Sequence, residues 1–156
     1  MEKLTDRTPG EALDDNLKGL YMGIHIFDRY SKKCKSRELK NLLKEVISLY
    51  EKEAFELSKK ISSLGKSPST NIGIIGKASE LIYNLKTVSA DTDSEILEES
   101  IKSCKTGIMM FQKFLKDKGS DLDKDSLNLI KDIIKENEEL SKKLNEFSKP
   151  EQADFF

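Results

Sequence analysis

Apolar positions recur at helical spacing along almost the whole chain. Between residues 12 and 33, Leu13, Leu17, Leu20, Ile24 and Phe27 advance in steps of three and four, which keeps them on one face of a helix. Over 37–64 the same alternation is unbroken through Leu43, Ile47, Tyr50, Ala54, Leu57, Ile61 and Leu64. Ser36 can accept from the first turn of this helix, and Gly65 is placed to stop it. So few residues separate the two segments that they are expected to pack as antiparallel neighbours.

Beyond Gly65 the texture becomes Lys-Ser-Pro-Ser-Thr-Asn, which reads as a loop. A shorter apolar run follows, Ile72 through Val88, and predicts a short helix over about 74–88 whose start Gly73 and Gly76 weaken. Thr92 and Glu95 have the spacing of a capping box ahead of a helix over 93–117. Its expected seam is Leu97, Ile101, Cys104, Ile108, Phe111 and Leu115. A last helix, from Asp123 to Phe147, carries Ile130, Ile133, Asn137, Leu140, Leu144 and Phe147 on its seam, and Pro150 ends any continuation.

This order gives two hairpins joined by some thirty residues. A plain up-and-down bundle needs no such connection, whereas a bundle whose second and third long helices are parallel does. The expected fold is therefore all-α, a ferritin-like four-helix bundle with a long crossover that holds a short extra helix. Its domain limits are an N-terminal arm over 1–11, the bundle over 12–148, and a tail over 149–156 that ends in Phe155 and Phe156.

Composition agrees with this picture and narrows the chemistry. Of 156 residues, 37% are hydrophobic and 35% charged, as amphipathic helices with broad solvated faces require. Lys plus Arg (27) almost cancels Asp plus Glu (28), so no overall field favours nucleic acid. Met1–Gly10 carries no apolar core of a secretory leader, and no stretch reaches the ~18 apolar residues of a membrane span. Cys34 and Cys104 lack metal-ligand or redox-motif spacing and read as buried free thiols of a cytoplasmic protein.

Three stretches resemble a bacterial ferritin-like family of unknown function related to rubrerythrin-type bundles. They are Gly23-Ile24-His25-Ile26-Phe27, the helix opening Arg37-Glu38-Leu39-Lys40-Asn41-Leu42-Leu43, and Ile96-Leu97-Glu98-Glu99 followed by Phe111. The resemblance extends over about 13–147 and implies the fold; it implies no particular activity.

A carboxylate-bridged di-iron centre would need inward acids on all four helices and Glu-x-x-His on two of them. Projected at helical spacing, Asp28 falls inside the first stripe and Glu53 at the flank of the second. Glu56 stands where a histidine is wanted, and the lone His25 lies on the first helix. The third long helix turns Ile101 and Cys104 inward, where related sequences tend to show an acid, and the fourth offers Asn137. A metal site holding iron or manganese would thus draw on Asp28, Glu53, Glu56 and His25, an incomplete set. No cofactor is expected. Asp28 is either the remnant of a ligand or a buried polar group bonded to Tyr50 or Asn137, because burying it unpaired is costly. Asn137 is expected to fix helix register.

Met109, Met110 and Phe114 make the third long helix more apolar than its seam requires. They either receive the crossover helix or, with Phe155 and Phe156, form a contact surface for a partner or a second copy. The expected function is that of a non-catalytic bundle, associated with stress or development, that works through protein contacts or self-association. A metal-binding or redox protein with an altered carboxylate site is the alternative.

Overall fold

A computed structural model describes residues 7–70 and 90–148. Among these residues four long helices form, α1 (Pro9–Lys33), α2 (Arg37–Ser63), α3 (Asp93–Lys118) and α4 (Lys124–Phe147), with a 3-10 turn, Gly119–Asp121, between the last two. The short helix expected over 74–88 lies outside the described residues, as do the Phe155–Phe156 tail and residues 1–6.

Each helix begins on a side chain that satisfies first-turn amides otherwise left without a partner. Thr8 and Glu11 form a reciprocal capping box with Pro9 in the first turn. The helix therefore starts three residues before the position marked by apolar spacing alone, inside the arm expected over 1–11. Ser36 accepts from the Leu39 amide at 3.2 Å. Thr92 and Glu95 make the second capping box, as expected. Asp123 is the cap of α4 rather than its first residue, accepting from the Ser126 amide at 2.9 Å.

The stop after α2 is a Schellman turn. Gly65 takes φ of 85°, its amide donates to the Ser62 carbonyl, and the Lys66 amide reaches back to the Ile61 carbonyl. A side chain at Gly65 would be strained by that backbone angle.

Helix contacts place α1 against α2 and α3, and α4 against α2 and α3, which leaves α2 and α3 diagonal. Three polar contacts fix the directions. The Asp93 carboxylate, at the start of α3, accepts from the amides of Lys35 and Ser36 at the start of α2, both at 2.8 Å. Lys60, near the end of α2, pairs with Asp123 at the start of α4 at 2.7 Å. Farther along, Lys143 reaches Glu45 at 3.3 Å. Thus α2 and α3 are parallel and α4 is antiparallel to α2. This is the ferritin-like connectivity that the crossover length predicts.

The core is a continuous cluster that includes Leu13, Leu17, Phe27, Leu43, Leu57, Ile96, Ile130 and Leu144. Gly23 lets α1 close on α2, since a Cβ there would stand 2.9 Å from the Tyr50 ring. That ring is held edge-on by Phe27 at a centroid distance of 5.8 Å. On α3 the buried residues are Ile96, Ser100, Cys104, Ile108 and Phe111, while Leu97 and Ile101 are only half-buried. The helix is therefore turned away from the expected seam. The four-residue series from Ile96 to Ile108 faces the core, with the small Ser100 completely covered.

Asp14 is a buried acid that helical spacing did not single out. Its carboxylate accepts from the amide and hydroxyl of Ser69, at 2.7 and 2.6 Å, and fastens the first residues of the crossover to α1.

Candidate functional site

The four residues considered for a metal do not meet. Asp28 sits at the margin of α1, with its side chain 48% exposed, and pairs with Lys32 of its own helix at 2.9 Å. Phe27 and Ser31 occupy the inward positions beside it, so its partner is neither Tyr50 nor Asn137. His25 is half-buried on the same helix. Glu56 is half-buried and lies 3.8 Å from Lys52.

Glu53, expected at a flank, is instead completely buried. It is spaced three and four residues from Tyr50 and Leu57, both in the core, and the packing of α4 covers it. Among the described residues no three His, Cys, Asp or Glu side chains come together as a metal site requires. A core carboxyl with an amide opposite does not fit a carboxylate-bridged di-iron centre.

The bundle interior contains a polar layer in its place. Asn137 of α4 is buried, and its Nδ2 lies 3.0 and 2.8 Å from the two Glu53 oxygens and 2.7 Å from the Ile133 carbonyl. Across the diagonal, the Tyr50 hydroxyl and the Cys104 sulfur are 3.7 Å apart. Glu136, next to Asn137 in sequence, brings a second carboxyl group close enough to help raise the pKa of Glu53. Its outer oxygen receives Lys52 at 2.5 Å. The Lys52–Glu136 ion pair thus flanks the buried Glu53–Asn137 pair on the same α2–α4 seam.

Burial pushes the Glu53 carboxyl up to about 8; Asn137 opposes the rise and the Glu136 carboxylate adds to it. Glu53 is therefore mostly neutral at pH 7. Burial raises the Cys104 thiol to about 11, which keeps it protonated and a poor nucleophile. Tyr50 is raised well above the usual tyrosine range by burial, with smaller contributions from Cys104 and Glu53. These groups hold protons; none is activated to attack a substrate.

Two further hydroxyls, of Ser100 and Ser126, are buried without a hydrogen-bond partner. Both come from small residues on helix faces, where the sequence pattern carries no mark of burial.

On the outside, Met109 and Met110 of α3 are 65% and 62% exposed, and Phe55 of α2 is 64% exposed with Lys59 over its ring. Phe114 is half-buried against the core, so it contributes less to the surface than Met109 and Met110. Among the described residues no helix is long and apolar enough to cross a membrane.

Residues 9–117 match a family described as a domain of unknown function, DUF2383, and the chain belongs to that family. No curated protein matches it. Among solved structures it is similar to a two-domain protein from Anabaena variabilis ATCC 29413 that contains DJ-1/ThiJ/PfpI-like and ferritin-like domains. The TM-score is 0.69 at 16% identity over 94% of this chain and 37% of that one. The chain therefore spans little more than a third of that protein's length, and the likeness establishes the ferritin-like fold.

Proposed function

We propose that this DUF2383 member is a non-catalytic ferritin-like bundle that works by self-association, in the cytoplasm of a bacterium, and that it shares ancestry with rubrerythrin-type bundles. The observation that carries the reading is the adjacent exposed pair Met109 and Met110 on α3. Two neighbouring large apolar side chains in water favour contact with another apolar surface, and methionine adapts its shape to one. The interior supports the same reading, since Asn137 and the neutral Glu53 stand where a metal enzyme of this architecture needs converging carboxylates.

The altered-site alternative draws its support from Glu53 and Glu136, two carboxyl groups on α2 and α4 near enough for the second to raise the pKa of the first. Protein grown with iron and manganese and purified without chelator separates the readings. Metal analysis and light scattering on the same sample should give well under one ion per chain and a mass above that of one 17.7 kDa chain. One or two firmly held ions per chain would favour the altered metal site instead.

A further inference from the structure

We propose that a second copy of the chain docks on α3 as an antiparallel pair about a two-fold axis, the acidic N-terminal half of each α3 lying over the basic C-terminal half of the other. The inference rests on the self-association reading and gives it a geometry. On the outer side of α3, Glu95, Glu98, Lys102, Lys105, Met109 and Lys116 are separated by steps of three, four and seven residues, so they share one face of the helix. All six are exposed, as is Lys113, four residues past Met109 on the same face. The acids stand at the start of this face and Lys113 and Lys116 at its end, with Met109 and the adjacent Met110 between them.

This order of charges decides the direction of pairing. In a parallel pair each acid would face the same acid and each lysine the same lysine; in an antiparallel pair opposite signs meet. Positions 98 and 116 are equally far from 107. An axis there sets Glu98 of each copy opposite Lys116 of the other, a contact made twice because the interface is isologous. The same axis sets Lys105 opposite Met109, where the lysine stem can cover the thioether while its ammonium stays in water. The two Met109 residues then lie about 6 Å apart along the helix direction. With Met110 they form one apolar centre between charged ends.

The remaining charges do not oppose this pairing. Lys102 is turned to Glu98 and Glu99 of its own helix, at 3.9 and 3.6 Å. Lys113 and Lys116 enter none of the ion pairs among the described residues, which leaves both for a second copy.

The test is light scattering coupled to size exclusion on Glu98→Lys, on Lys116→Glu, on their equimolar mixture and on the doubly reversed chain. Both positions are exposed, and circular dichroism verifies that each variant stays helical. Each single variant alone sets like charges against each other at both ends, and its dissociation constant should rise about tenfold. In the mixture, and in the doubly reversed chain, both contacts again join opposite signs, so the dimer should return. The mass of the unaltered chain should level off at twice 17.7 kDa, because a two-fold contact closes on itself. Assembly that neither single reversal weakens, a mixture no better associated than its components, or growth beyond two copies would overturn the antiparallel pairing and leave self-association standing. A monomeric unaltered chain would overturn both.

Discussion

The Glu53 carboxyl and the Asn137 amide meet at 2.8 and 3.0 Å inside the bundle, each buried and each carried by a different helix of the α2–α4 seam. Either partner alone is a polar group in an apolar interior; together they satisfy one another. Asn137→Leu should therefore cost about 2–3 kcal/mol at neutral pH, since it leaves a buried carboxyl without its main donor. The double change Glu53→Leu with Asn137→Leu should recover most of that loss, ending within about 1 kcal/mol of the unaltered protein. Urea unfolding of the two single variants and the double variant checks this. Additive losses would mean that the pair does not act as a unit.

Gly23 marks the closest approach of α1 to α2. Ala at this position would put its methyl 2.9 Å from the Tyr50 ring, which Phe27 holds in place. Gly23→Ala should destabilise by about 1–3 kcal/mol despite the better helix propensity of alanine. Adding Tyr50→Leu should make the Ala change nearly neutral relative to Tyr50→Leu alone. Thermal unfolding of the four proteins in that cycle reads the coupling directly.

Asp93 joins the start of α3 to the turn between α1 and α2. The Lys35 backbone hydrogen bond is the largest cause holding its carboxyl below the usual aspartate range, and Ser36 adds to the effect. Such a group contributes stability that is present above its unfolded pKa and lost as pH falls through the lower folded value. Asp93→Ala should cost about 1–2 kcal/mol at pH 7 from two lost charge-assisted bonds. The difference should persist to about pH 5 and shrink below about pH 4. Melting curves of both proteins across that range test the sign. A difference that grows on acidification would contradict it.

The sequence made the long helices legible because their apolar spacing and caps are local. Thr92 and Glu95 lie three residues apart, and so do Ser36 and Leu39. Crossover length carried the topology, since a hairpin would not need residues 64–92. What local pattern could not supply was the rotation of each helix about its own axis. On α3 the observed face is Ile96, Ser100 and Cys104 rather than Leu97 and Ile101, because packing against α1 and α4 sets that angle.

The same limit misplaced the acids. Spacing puts Asp28 inside an apolar stripe and Glu53 at the flank of one, and which of the two is covered depends on a neighbour tens of residues away. Asn137, on α4, covers Glu53, whereas Asp28 turns to Lys32 and water. Asp14 was missed for a related reason, as its partner Ser69 stands on the crossover. Met109 and Met110 were legible as surplus apolar residues because the seam of α3 was already filled without them.

The most direct test of the contact reading is light scattering coupled to size exclusion over a wide concentration range, comparing the unaltered chain with Met109→Lys/Met110→Lys. Both substitutions lie on exposed positions, so the folded core should persist, as circular dichroism would verify. The account predicts a mass above 17.7 kDa that rises with concentration in the unaltered protein and falls to the monomer value in the variant. A monomer at every concentration in the unaltered protein, or an unchanged assembly in the variant, would contradict it.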